Sequence, residues 1–245
     1  GYMMLPGRIL DEQEQYFFYC SCLAAAQGRQ VTVRTFDFGA DRTMADAYQG
    51  VQSSKLGLRG IRSSLRNLPQ MAVQICALMR AAAKGPLRVM FPMVTDIEDW
   101  DSAMQVVDHC RRKLAERGEE FEPDVPFGVM LSIPAACLTA EDFTAHGCRF
   151  FVIGTNDLTQ YTHAVDRDIS IAERYYRPAS HAMKKLIRMV VEAAREGGIP
   201  VTICGSAVGN PANTLQYLQL GLRSFSVSPQ NLIEVKKALM NAKIK

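Results

Sequence analysis

Six short runs of apolar, largely β-branched residues recur along the 245-residue chain, separated by segments with helical patterns. Nearly every residue in each run is apolar, whereas a strand with one solvated face alternates apolar and polar side chains. Strands of this kind are buried on both faces, as in a parallel sheet covered by helices. The six predicted strands are 31–36, 87–93, 127–133, 148–154, 200–207 and 224–228.

Local signals between these runs predict where helices begin. The segment 95–98, Thr-Asp-Ile-Glu, has the form of a capping box and predicts a helix that continues toward Arg117. Pro211 and Pro229 suit the first position of a helix, which makes the preceding residues, Asn210 and Ser228, candidate N-caps.

Alternation of strands and helices is typical of a doubly wound sheet or a (β/α)8 barrel. No GxGxxG motif follows the first strand, which disfavours a dinucleotide-binding sheet. Polar residues instead follow several strands, at the edge where a parallel barrel builds its active site. These residues are Arg34, Asp37, Ser132, Asn156, Asp157, Cys204 and Ser228.

The predicted fold is therefore α/β, a TIM-type (β/α)8 barrel that forms a single domain over residues 1–245. A closed barrel needs eight strands and the sequence shows six convincing ones. We therefore expect a fragment that lacks the first one or two strands of the barrel.

The composition of the chain limits the classes of binding partner that we expect. The net charge of +3 gives no bulk electrostatic reason to expect nucleic acid or a membrane surface. No apolar stretch approaches the ~18 residues of a membrane span, so we expect no membrane insertion and a cytoplasmic location. The seven cysteines form no CxxC pair, which predicts free thiols that are mostly small buried residues.

The segment 153–167 carries the clearest chemistry. Asn156 offers donors to an anion, and Asp157 is a hard oxygen ligand suited to Mg²⁺. Arg167 is close enough along the chain to return to the same edge and bind phosphate. The structural alternative is that Asn156 and Asp157 only cap the next helix, and the spacing alone leaves both interpretations open.

Two further segments carry arginines that suit an anionic partner. Arg34 lies inside an apolar strand and therefore needs an anion, which is a ligand or an internal partner such as Asp37 or Asp157. Arg59 and Arg62 are three residues apart, a spacing at which side chains share a helical face.

Six motifs together resemble the C-terminal domain of enzyme I of the bacterial sugar phosphotransferase system, with pyruvate phosphate dikinase and phosphoenolpyruvate synthase as more distant relatives. GTNDLTQY followed by AVDR is the most specific match. The motifs are VRTFDFGADR (33–42), LGLRGIR (56–62), RVMFPM (88–93), FGVMLSIP (127–134), FFVIGTNDLTQYTHAVDR (150–167) and ICGSAVG (203–209).

The resemblance implies a phosphotransferase whose barrel binds phosphoenolpyruvate (PEP) and Mg²⁺. In that family the phosphoryl group passes to a histidine on a mobile N-terminal domain, then to the carrier HPr for sugar uptake, and the protein is a homodimer. By position, the substrate-binding residues are Arg34, Arg59, Asn156, Asp157 and Arg167, with Asp157 also a metal ligand and Cys204 the proton donor to the enolate.

Departures from the family pattern leave alternatives open. Ser132 stands where the family has the second magnesium ligand, a glutamate, and Ser206 replaces the glutamate after the CG pair. One alternative is a degenerate barrel that binds PEP or a partner without turnover; another is a metal-dependent aldolase or lyase. Without a phosphohistidine domain, we expect the isolated chain to be inactive in transfer.

Overall fold

The computed structural model describes residues 4–5, 8–37, 56–169 and 174–242. A short antiparallel pair, β1 (Met4–Leu5) and β2 (Arg8–Ile9), precedes a six-stranded sheet in chain order. Its strands are β3 (Val31–Arg34), β4 (Leu87–Phe91), β5 (Phe127–Leu131), β6 (Phe151–Gly154), β7 (Val201–Cys204) and β8 (Ser224–Ser226).

Ten α-helices lie between and beside these strands in the described part of the chain. They are α1 (Glu12–Ala26), α2 (Ile61–Arg66), α3 (Leu68–Ala82), α4 (Ile97–Glu116), α5 (Pro134–Leu138), α6 (Ala140–Ala145), α7 (Thr155–Thr162), α8 (His181–Glu196), α9 (Pro211–Gln219) and α10 (Leu232–Met240). None of those described is both long enough and apolar enough to cross a membrane.

The six predicted strands are confirmed as elements of an α/β fold, and the pairs β3–β4, β5–β6, β6–β7 and β7–β8 are parallel. Five of them end two or three residues earlier than predicted, and only β6 ends where expected. The residues just beyond these strands continue the sequence pattern, and periodicity alone does not mark where a strand ends.

The contacts divide the chain into two compact units, 1–93 with 98–128, and 94–97 with 129–245. In the first unit, the core includes Phe91, whose ring stacks on Phe127 and meets Trp100 edge to face. In the second unit, every residue of β6 is buried, and α8 packs against α5 and α6.

Side-chain capping bonds are present at the starts of four of the described helices, α1, α3, α8 and α9. The Asn210 side chain accepts a hydrogen bond from the Ala212 N–H ahead of α9, which confirms the predicted cap. Ser228 is the N-cap of a 3₁₀ turn that begins at Pro229, which confirms its predicted position, although its side chain makes no capping bond. Helix α4 begins at Ile97.

All seven cysteines are free thiols in the structure. Cys76, Cys110, Cys137 and Cys148 are buried, as expected of small apolar residues. Cys204 is only partly buried, which agrees with its place at the end of β7.

A charge network joins three helices of the first unit. The Glu12 carboxylate of α1 accepts hydrogen bonds from Arg80 of α3 and from Arg117, which follows α4, at 2.8–2.9 Å. Burial pushes the pKa of Glu12 upward, but the hydrogen bonds and charges of Arg117 and Arg80 outweigh it and leave this pKa below its ordinary value. The ionised form of Glu12 therefore stabilises the folded state.

We expect Glu12→Gln to lower the free energy of unfolding by about 1 kcal/mol at pH 7, because the network loses one of the two carboxylates, Glu12 and Glu119, that Arg80 and Arg117 share. A depressed carboxyl pKa contributes stability above the unfolded-state value, near 4.3, that is lost as the pH falls through the folded-state pKa. Urea unfolding at pH 7 and pH 3 measures this, with Glu116→Gln, an exposed site on α4, as the control. A deficit that persists unchanged at pH 3 would contradict the electrostatic explanation.

Candidate functional site

Two arginines of the first unit share one buried carboxylate. Arg59 donates from Nε and Nη2 to the two Asp37 oxygens, at 2.9 and 2.7 Å, in a bidentate pair. Arg34 Nη1 lies 3.2 Å from Asp37 Oδ2. The Asp37 side chain is 2% exposed, whereas that of Arg34 is 42% exposed. The Arg59 side chain is only 12% exposed, so Arg34 is the guanidinium of the two that faces solvent.

The structure confirms the predicted internal partner of Arg34, which is Asp37. The Arg34 guanidinium stays exposed beside this carboxylate, so it is accessible to an anionic ligand.

Gly60 fixes the loop that carries Arg59. This glycine has φ +58°, and a Cβ there would lie 2.8 Å from both the Met93 Cβ and the Pro92 carbonyl oxygen. The next residue, Ile61, donates its N–H to the same carbonyl at 3.0 Å. Helix α2 begins only at Ile61, so Arg59 precedes it, and the prediction that Arg59 and Arg62 share a helical face is wrong.

A chain of buried polar side chains supports the end of β3. Gln74 of α3 accepts the Phe36 N–H at 3.0 Å and donates to the Tyr19 hydroxyl at 3.0 Å. Tyr19 in turn donates to Gln15 at 3.4 Å. Because Phe36 immediately precedes Asp37, this relay holds the backbone from which the carboxylate reaches both arginines.

We expect Gln74→Leu to lower the free energy of unfolding by about 1–3 kcal/mol, because the partly buried Phe36 N–H loses the Gln74 oxygen as acceptor. Urea unfolding followed by circular dichroism measures the change. Gln105→Leu, at an exposed position on α4, is the matched control and should stay within about 0.5 kcal/mol of the parent. Equal stability of the two variants would show that the relay contributes nothing.

The second unit joins the ends of β6 and β7. Their parallel register pairs Gly154 with Cys204. The Thr155 hydroxyl, one residue beyond β6, donates to the Cys204 carbonyl at 2.9 Å. Asn156 Oδ1 accepts from both the Ser206 N–H, at 2.9 Å, and the Ser206 hydroxyl, at 2.8 Å. The predicted proton donor Cys204 and the predicted ligand Asn156 thus belong to one hydrogen-bonded corner.

Asp157 and Arg167 also meet in this unit. Helix α7 begins at Thr155, and its N-cap, Gly154, makes no side-chain capping bond, so the alternative that Asn156 and Asp157 merely cap a helix is wrong. Arg167 returns to place Nη1 3.5 Å from Asp157 Oδ1. Asp157 is 8% exposed, so its charge is held close to the guanidinium with little water between them.

Tyr176 is a residue of this corner that the sequence did not reveal. Its hydroxyl donates to the Asn156 carbonyl at 3.3 Å. Burial raises the pKa of Tyr176, so the phenol keeps its proton, and remains a donor, to higher pH than a free tyrosine. Nothing in the run ERYYRP distinguishes one tyrosine from the other, and only the fold selects Tyr176.

Comparison with known proteins decides the family. The family model described as PEP-utilising enzyme, PEP-binding domain, matches residues 2–244. The chain belongs to this family. The PEP-utilising family assignment agrees with the resemblance seen in the motifs, and the match extends over almost the whole sequence.

The names of curated relatives agree with this family. The chain is 37% identical over 241 residues to the phosphoenolpyruvate-protein phosphotransferase of Cupriavidus necator, covering 97% of this chain and 40% of the relative. The protein of that name from Haemophilus influenzae is 35% identical over 231 residues, covering 94% and 40%. This member of the PEP-utilising family thus spans about two fifths of the length of the curated relatives it matches.

Among solved structures, the fold is similar to that of Haloferax volcanii malate synthase in its lead(II) complex. The TM-score is 0.62 at 14% identity, with 96% of this chain and 60% of the other covered. At this identity the likeness concerns the fold alone, which is of the TIM-barrel type.

Members of the PEP-utilising family use Mg²⁺, so the donors of this chain need testing against that ion. Asp157 supplies a carboxylate, and Ser132, at the end of β5, is 1% exposed and offers a hydroxyl. Ser132 Cβ lies 3.3 Å from where a Cβ on Gly154 would be. Proteins commonly hold Mg²⁺ with one or two carboxylates, substrate phosphate and water. These donors fit an ion shared with an anionic substrate.

Proposed function

We propose that this chain binds PEP and is the PEP-binding domain of a phosphoenolpyruvate-protein phosphotransferase. The observation that carries the proposal is the corner at the ends of β6 and β7, where Thr155 donates to the Cys204 carbonyl and the Ser206 N–H donates to Asn156 Oδ1. An amide donor beside a partly exposed thiol is suited to a substrate that needs both an anion contact and a proton donor.

Arg34 and Arg59 are proposed to bind the phosphate or carboxylate of PEP. The support is electrostatic: two guanidiniums share one buried carboxylate, and the more exposed of them, Arg34, has room to contact a ligand. Planar guanidinium groups match the geometry of phosphate and carboxylate oxygens.

Asn156, Asp157 and Arg167 are proposed to bind PEP, and Asp157 also the Mg²⁺. The bound ion would supply positive charge against the transferred phosphoryl group. Arg167 holds the Asp157 carboxylate in place through their 3.5 Å ion pair. Because this chain has Ser132 where a second carboxylate is expected by resemblance, Mg²⁺ is proposed to bind together with PEP and weakly without it.

The reaction proposed for the whole protein breaks the bond between the phosphorus and the enol oxygen of PEP. The phosphoryl group passes to a histidine nitrogen on an N-terminal domain, and then to an HPr-like carrier protein. The pyruvate enolate left behind takes a proton at carbon from Cys204, which yields pyruvate. Catalysis of this kind depends on positioning and on positive charge around the phosphoryl group.

The six-stranded sheet is proposed to belong to a (β/α)8 barrel in the whole protein. The likeness to solved structures of the TIM-barrel type supports this architecture. A homodimer is proposed on the resemblance to enzyme I.

Calorimetric titration of PEP into the chain, with and without Mg²⁺, tests the proposal. We expect binding that Mg²⁺ strengthens, and Arg34→Gln should weaken it by about tenfold or more, because a charge-assisted contact is lost. Arg112→Gln, exposed on α4, is the control and should bind as the parent does. No measurable binding of PEP by the folded parent chain would contradict the proposed function.

Restoring a carboxylate tests the metal site separately. Ser132→Glu should increase the affinity for Mg²⁺ in the absence of PEP, since a hard cation prefers carboxylate to hydroxyl oxygen. Ser132 is buried, so Ser132→Asp, with a shorter side chain, is made in parallel and circular dichroism checks the fold of both. Folded variants with unchanged Mg²⁺ affinity would remove Ser132 from the neighbourhood of the metal.

A further inference from the structure

The side-chain amide of asparagine has an oxygen, Oδ1, which accepts hydrogen bonds, and a nitrogen, Nδ2, which donates them. Ser206 determines the directions in which these two atoms of Asn156 point. The Ser206 backbone N–H can only donate, so the Asn156 atom 2.9 Å from it must be the oxygen, Oδ1. The Ser206 hydroxyl lies 2.8 Å from the same oxygen and donates to it as well. With Oδ1 occupied by two donors, Nδ2 is left on the other side of the amide.

We propose that Ser206 is a positioning residue that orients the Asn156 amide so that Nδ2 donates to an anionic ligand. This inference rests on the proposed function, because it concerns how the same corner receives PEP. Reversing the amide would set Nδ2 against the Ser206 N–H, two donors facing each other, and would cost both hydrogen bonds.

Gly205 makes the approach of Asn156 possible. It has φ +120°, a conformation in which residues with side chains are strained. A Cβ at this position would overlap the Thr155 hydroxyl oxygen and lie 2.9 Å from Asn156 Oδ1. Only a residue without a side chain lets Thr155 and Asn156 pack against the backbone at the end of β7.

The rest of Asn156 is held as well, so the amide is the part that Ser206 controls. Tyr176 donates to the Asn156 carbonyl, and Asn156 belongs to the first turn of α7. Helix α7 therefore fixes its backbone, while the Ser206 side chain also interacts with the Tyr176 hydroxyl. At position 206, directly after Cys204 and Gly205, a side chain that only accepts hydrogen bonds would leave the backbone N–H as the single donor to Asn156 Oδ1. A hydroxyl adds a second donor at that point.

The first test is a double-mutant cycle on PEP affinity. Ser206→Ala should weaken PEP binding by about three- to tenfold, the loss of one neutral hydrogen bond. In an Asn156→Ala background the same change should have no further effect, because Ser206 acts through Asn156. Ser206→Thr keeps the hydroxyl and should restore affinity, whereas Ser102→Ala, on α4, is the control and should bind as the parent does.

Equal PEP affinity of Ser206→Ala and the parent would overturn the proposal. The proposal would also be overturned if Ser206→Ala weakened PEP binding by the same factor in the Asn156→Ala background, since the effect would then not depend on the Asn156 amide.

The second test needs no ligand and separates this inference from the proposed function. In the chain labelled with ¹⁵N-asparagine, the Asn156 side-chain amide should give one sharp pair of signals. Ser206→Ala should broaden or double them and speed their hydrogen exchange, and Ser206→Thr should restore the single pair. Unchanged Asn156 signals in Ser206→Ala would overturn the proposal even if PEP binds, and failure of the parent to bind PEP would contradict the proposed function alone.

Discussion

The parallel register of β6 and β7 is the constraint on which the second unit's chemistry depends. Pairing of Gly154 with Cys204 brings the two strand ends level at one edge of the sheet. Residues one and two positions beyond each end then lie within hydrogen-bonding distance of one another, as Thr155 and Asn156 do with the segment 204–206. A register slip of one residue would turn each side chain to the opposite face and separate these groups.

In the first unit, the arrangement of the two arginines depends on their compensation of the Asp37 charge. A buried carboxylate is costly unless it is paired, and Asp37 receives two guanidiniums. Three features hold this group: the bidentate geometry of Arg59, the close approach of Gly60 to Pro92, and the relay through Gln74 that fixes the end of β3. Packing and electrostatics therefore favour the same position for the arginine loop.

Part of the fold and part of the candidate site could be predicted from the sequence, and the rest could not. Runs of largely apolar residues identified all six strands, and the polar residues after them identified most of the candidate site. The expectation that every strand is buried on both faces is wrong for β3 and β8, which contain no buried residue. The shared helical face of Arg59 and Arg62 was wrong because the positive φ of Gly60 delays the helix. Gln74 left a signal, a single uncharged polar residue within the apolar run MAVQICALM, whereas Tyr176 left none.

The sequence by itself determined the α/β class, the order of the strands, the family and the residue types available for binding an anion. These follow from local periodicity and from the spacing of motifs along the chain. Only the tertiary structure decided that Arg34 and Arg59 share Asp37, that Arg167 returns to Asp157, and that Ser206 orients Asn156. Such pairings join residues as far as 50 positions apart, and their distances depend on strand register and loop packing, which no local pattern encodes.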